Sequence, residues 1–142
     1  MLSKREMEAV FRRAHQPNFN SLVGLRLVAC HRDGVTIDCA LRPELLNFHG
    51  VLHGGVTATL ADVAVGMAIT HHFGGRSRQT TVEMKINFLR PVTGHKVRAR
   101  ARLLKVGTKL TIGQVDLFDD AKRRVGAALV TYMLLETPPA KA

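Results

Sequence analysis

Residues 54–70 carry one charged side chain, Asp62, in a run otherwise made of Gly, Ala, Thr, Val, Leu, Ile and Met. Such a run is short for a bilayer crossing, and a carboxylate at its midpoint makes one costly. It therefore reads as a helix buried in the protein. Ala58, Ala61, Ala64, Gly66 and Ala68 put small residues on several sides, while Val56, Leu60, Val63 and Met67 fill the gaps. A surface helix would show a broad polar face, so this one is expected to be enclosed nearly all round. The rest of the chain must supply the shell.

That shell reads as strands. In residues 81–89, Val82, Met84, Ile86 and Phe88 alternate with Glu83, Lys85 and Asn87. After turn signals at Pro91 and Gly94, Val97, Ala99, Ala101 and Leu103 alternate with Lys96, Arg98, Arg100 and Arg102. Gly107 and residues 119–122 mark two more turns, which delimit strands over 109–118 and 124–136. Upstream, 22–29 and 35–41 form a hairpin around Asp33-Gly34, and 45–52 is a loop. Ser3 and Glu6 form a capping box ahead of Met7, Val10, Phe11 and Ala14 at helical spacing. A short amphipathic helix is thus expected from about residue 4 to 14, within an N-terminal segment 1–16, and 137–142 reads as a tail. About six strands, the last four in consecutive hairpin order, around one long helix make a single α+β domain over 1–142.

The chain is 142 residues long and 46% hydrophobic, enough for a core without metal or disulfide support. Cys30 and Cys39 lack C-x-x-C spacing and fit free thiols in a reducing cytoplasm. Charged residues interleave the first 13 positions, so no signal peptide is expected there. The formal charge of +10 calls for an anionic partner. Six Phe, one Tyr and no Trp, without interleaved basic residues, argue against nucleic acid. The row Lys96, Arg98, Arg100 and Arg102, with Lys85 and Lys109 placed in the adjoining strand, is either a solvated outer sheet face or a landing surface for phosphate groups.

Most catalytic motifs are excluded. Ser3, Ser21 and Ser77 are the only serines, none lies in G-x-S-x-G, and phosphate-loop, dinucleotide-binding and H-E-x-x-H patterns are missing. His49 and His53 stand four apart with no acidic or thiol ligand beside them, so no metal is expected. What remains is the stretch from Asn47 to Gly55 and then Asp62. Gly54 and Gly55 open the helix, where backbone N–H groups lack intrahelical partners and the helix dipole favours developing negative charge. That suits a carbonyl or oxyanion site; it also suits a glycine pair that only permits close packing. Asp62 is the only carboxylate between Glu44 and Glu83. On a buried helix it is either a bonded structural group or a base or nucleophile in a cleft.

Asn47, Gly50, His53-Gly54-Gly55 and Thr59-Leu60-Ala61-Asp62 resemble the N-x-x-G-x-x-H-G-G…L-x-D signature of hotdog-fold acyl-CoA thioesterases, in particular the phenylacetyl-CoA (PaaI-like) branch. The stretch from Thr81 to Pro91 is similar to the strand that follows in that branch, and the resemblance spans roughly residues 20–136. It implies a hotdog fold, an antiparallel sheet wrapped around a long central helix, and hydrolysis of acyl-CoA to free acid and CoA without a cofactor. By position it implies Asp62 as general base or nucleophile, the Gly54 N–H as oxyanion donor, and Asn47 on the thioester carbonyl. His53 would shape the loop or bond near the carbonyl, and Thr81 would orient water, with Thr80 next to it. Gly55, His49, Arg90, Met84 and Phe88 are candidates for substrate contact. The implied partners are the acyl-CoA and a second copy of the chain, as a homodimer or dimer of dimers, with no nucleic acid and no membrane. The alternatives are a non-catalytic acyl-CoA sensor of the same fold and an enoyl-CoA hydratase, although the hydratase Asp/His pair is missing from the motif.

Helix geometry adds a constraint of its own. Eight residues separate Gly54 from Asp62, ~12 Å along a helix at 1.5 Å per residue. A base and an oxyanion donor must both lie within about 3 to 4 Å of one thioester. One chain does not easily supply both, whereas two antiparallel helices across a two-fold axis do.

Overall fold

The computed structural model describes residues 1–13 and 17–136. The expected helix end at Ala14 and the tail 137–142 lie outside them. Helix α1, Lys4–Arg13, starts at the expected capping box: the Ser3 N–H and hydroxyl both donate to Glu6 at 2.7 Å, and the Glu6 N–H donates back to Ser3 Oγ at 3.3 Å. It buries Met7 and Phe11 and packs on the first strand.

The expected strand from Leu22 is corrected. A short helix α2, Phe19–Val23, occupies its start, because Asn18 caps the Ser21 N–H while Ser21 Oγ accepts from the Asn18 N–H. Gly24 closes α2 at φ +82°, a left-handed conformation that glycine adopts without strain. Strand β1 is therefore Leu25–His31, and β2 is Gly34–Ala40. His31 pairs with Gly34, so Arg32 and Asp33 form the two-residue turn, one position earlier than expected. A single 3₁₀ turn, Pro43–Leu45, leads to helix α3, Gly54–His72. Strands β3 (Arg78–Phe88), β4 (Lys96–Val106), β5 (Leu110–Asp119) and β6 (Arg124–Glu136) follow.

All six strands form one antiparallel sheet in the order β1-β2-β4-β5-β6-β3, against the consecutive order expected for the last four. Strand β3 leaves α3 and pairs with β6 at the far edge, while β4 fits beside β2. Alternation identifies a strand and its faces but says nothing about its neighbour. The sheet curls around α3, which rests mainly on β2 and β4 and then on β5, with Leu60, Ala64, Val65, Ala68 and Ile69 fully buried. This is the hotdog arrangement in the α+β class. Enclosure of α3 is incomplete: Gly55 is exposed, and Thr59, Asp62, Val63 and Met67 are only partly covered. These positions recur every three to four residues, so they form one open stripe along the helix.

The sheet order also resolves the basic row. Lys85 pairs with Leu129 on β6 and does not adjoin the row, which lies between β2 and β5. Arg98 donates to Asp38 at 3.0 Å, Arg102 to Asp116 at 2.9 Å, and Arg100 to Asp33. The Arg100 hydrogen bond holds the Asp33 carboxyl below the usual carboxylate range. The three arginines belong to a cross-strand ion-pair ladder on the outer face, which leaves less of their charge for a ligand.

Candidate active site

The loop before α3 is organised by Asn47. Its side-chain oxygen accepts from the His49 N–H at 2.9 Å and the Val51 N–H at 3.3 Å, and its own N–H donates to the Val51 carbonyl. The oxygen is thus committed to the loop, and the amide NH₂ is the end left to address a ligand. His53 is the N-cap of α3: its Nδ1 accepts from the Gly55 N–H at 2.8 Å, and its carbonyl accepts from Val56 and Thr57. Among the described residues, Gly54 carries the one N–H of this first turn with no acceptor. The two glycines are therefore not equivalent as donors. Gly54 faces an open cleft of about 310 Å³ lined by Val51, Thr57, Phe88, Arg90 and neighbouring apolar side chains. A Cβ on Gly54 would stand 3.4 Å from the Phe88 ring.

Two turns further on, Asp62 lies on the open stripe of α3. Its Oδ1 accepts from Thr81 Oγ1 at 2.9 Å, and the Tyr132 hydroxyl stands 2.9 Å from both that oxygen and the Asp62 backbone carbonyl. Between Thr81 and Thr80, it is therefore Thr81 that reaches the carboxylate. Strict alternation along β3 would turn Thr81 to the outer face with Glu83 and Lys85. A β-bulge between Thr81 and Glu83, with Val82 as the extra residue, puts Thr81 opposite Tyr132 and aims it at the helix. Burial raises the Tyr132 phenol far above its ordinary value, so it is a protonated donor at any working pH.

Sequence reasoning missed Tyr132, which lies 70 positions from Asp62. One signal was present: the chain's single tyrosine falls among Ala128, Val130 and Leu134 on the apolar phase of β6, where a buried hydroxyl needs a partner.

The expected site residues divide into two groups. Gly54, Phe88 and Arg90 line one cleft at the start of α3, which His53 caps, and Asn47 organises the loop before it; Asp62 and Thr81 meet near the middle of the helix. Arg90 donates to the Arg124 carbonyl at 2.6 Å while lining the cleft. Gly55 spends its N–H on His53. Met84 is half-buried against the core, and exposed His49 lies against Phe48 with ring centroids 3.9 Å apart and the planes tilted by 39°. Among the described residues, no three His, Cys, Asp or Glu side chains are grouped to hold a metal, and no helix is long and apolar enough to cross a membrane.

An unpartnered backbone N–H at the start of α3 and a carboxylate held by two hydroxyls farther along it thus lie on a hotdog scaffold. Residues 49–125 match the Thioesterase superfamily, and the chain belongs to that family. Its class of chemistry is thioester hydrolysis. The chain is 28% identical to the medium/long-chain acyl-CoA thioesterase YigI of Escherichia coli K12, covering 84% of this chain and 86% of that one. The zebrafish thioesterase superfamily member 2 superposes with a TM-score of 0.84 at 28% identity, covering 94% and 99% of the two chains. The E. coli PaaI protein of the phenylacetic acid degradation operon shares the fold at a TM-score of 0.82 and 15% identity, over 95% and 97%.

Proposed function

We propose that the chain hydrolyses acyl-CoA thioesters to the free acid and CoA, with Asp62 as the general base or nucleophile and no cofactor. The observation that carries this reading is the Asp62 carboxylate on the open stripe of α3, anchored through one oxygen by Thr81 and Tyr132 and leaving the other oxygen for chemistry. The thioester carbonyl sits on the Gly54 N–H with the Asn47 amide beside it. As base, Asp62 takes a proton from the water that attacks the carbonyl carbon; as nucleophile, it attacks that carbon itself and water later cleaves the anhydride. In either case the carbon–sulfur bond breaks, and CoA leaves as a thiolate that takes up a proton.

Because Gly54 and Asp62 share one uninterrupted helix, the reading requires a second copy of the chain. Strand β3 supports this. It is an eleven-residue edge strand whose one neighbour is β6, with Val82 55% and Phe88 56% exposed, and such an edge favours a partner. A homodimer joined there, alone or paired into a dimer of dimers, gives two equivalent sites. Free Cys30 and Cys39 agree with a cytoplasmic location. The motif over 81–91 favours the phenylacetyl-CoA branch, and the name of the E. coli relative favours medium or long chains.

A panel of aryl, short, medium and long acyl-CoAs, read by thiol release and by calorimetry, tests the function. Turnover on at least one acyl class is expected; stoichiometric binding without release of CoA would replace the enzyme by the sensor reading. The same assay separates two arginines. Arg90→Gln, at the cleft, is expected to raise KM roughly tenfold, the scale of one charge-assisted hydrogen bond. Arg102→Gln, inside the ion-pair ladder, is expected to leave KM unchanged.

A further inference from the structure

We propose that Tyr132 is a positioning residue that fixes the reactive oxygen of Asp62, an inference that rests on the catalytic role proposed for that carboxylate. An aspartate on a helix has two side-chain torsions to settle, and one bond from Thr81 fixes the place of Oδ1 without fixing the carboxylate plane. The Tyr132 hydroxyl adds the missing restraint. It stands 2.9 Å from Oδ1 and equally 2.9 Å from the Asp62 backbone carbonyl, so its one proton is shared between them in a three-centre hydrogen bond that ties the side chain to its own helix. With two hydroxyls on Oδ1, Oδ2 is the oxygen that meets water or the thioester.

Two local features serve this contact. Gly66, one turn beyond Asp62, has no side chain where a Cβ would stand 2.9 Å from the Tyr132 hydroxyl. The β3 bulge places Thr81 opposite Tyr132, so both hydroxyls approach the carboxylate from the β3–β6 pair. A tyrosine that merely needed to satisfy its buried hydroxyl has the Asp62 carbonyl for that purpose; sharing its one proton with the carboxylate goes beyond that need.

Tyr132→Phe keeps the ring and removes the bridge. The expected result is a loss in kcat of roughly tenfold to a hundredfold, the scale of a small misplacement of a reacting group, with KM within about twofold. The loss should vanish in an Asp62→Asn background, where no reactive oxygen remains to be positioned. Gly66→Ala keeps the hydroxyl but displaces it, and it should lower kcat in the same way; it also decides the matter if Tyr132→Phe does not fold. A folded variant with wild-type kcat, a loss confined to KM, or an equal loss on top of Asp62→Asn would overturn the inference. A fully active Asp62→Asn enzyme would instead remove the catalytic role proposed for Asp62, whereas wild-type kcat in Tyr132→Phe beside an inactive Asp62→Asn removes only the positioning role.

Discussion

Asp62→Asn is expected to lower kcat for thioester hydrolysis by roughly two to four orders of magnitude, the scale of losing a general base, while the protein stays folded. The structure explains why the two effects separate. Asp62 meets Thr81 and Tyr132 through Oδ1, and an asparagine oxygen in the same place accepts both hydroxyls. Only Oδ2 changes, from an anionic oxygen to an amide nitrogen with no basic lone pair. Thermal melting within a few degrees of wild type, together with near-complete loss of thiol release, is the predicted pair of observations. Wild-type turnover in a folded Asp62→Asn protein would exclude the carboxylate from the chemistry and direct attention to the Gly54 cleft alone.

The features legible in the sequence were those carried by neighbours along the chain. The Ser3–Glu6 capping box, the small-residue helix with its lone carboxylate, and the alternating faces of β3 and β4 each depend on residues within one or two turns or a few strand positions. The glycine pair at the start of α3 left an oxyanion site and close packing both open, and the resemblance of residues 47–62 to the thioesterase signature singled out the Gly54 N–H. The features missed depend on distant partners or on a single residue out of phase. Nothing in residues 78–88 indicates that they pair with 126–136 in preference to β4, because the pattern that makes a half-buried strand is the same beside any neighbour. Helix α2 is five residues long, too short for a hydrophobic period, and only the Asn18 and Ser21 side chains declare it. The extra residue at Val82 is invisible in an alternating string, yet it decides which way Thr81 points. The basic row left a solvated outer face and a phosphate-landing surface both open because the carboxylates that engage its arginines, Asp33, Asp38 and Asp116, come from the β1–β2 turn, β2 and β5.

Mixing two inactive variants is expected to restore about a quarter of wild-type activity, and the length of α3 is the reason. The helix runs unbroken from Gly54 to His72, so the Gly54 N–H and the Asp62 carboxylate of one chain stay ~12 Å apart and do not meet on one thioester. If each site takes Asn47 and Gly54 from one copy and Asp62 from the other, a dimer of one Asp62→Asn chain and one Asn47→Ala chain has one doubly altered site and one unaltered site. Asn47→Ala removes the acceptor that gathers the His49 and Val51 N–H groups, so it disables the carbonyl-binding end without touching the Asp62 cluster. Random reassortment of an equal mixture makes half of the dimers mixed, and half of their sites are intact, which gives about one quarter of full activity. Sites built within one chain leave every site in every combination carrying one lesion. Activity no higher than the mean of the parents, in a mixture shown by native mass spectrometry to contain mixed dimers, would therefore place the whole site in a single chain and require α3 to bend or the carbonyl to bind elsewhere than at Gly54.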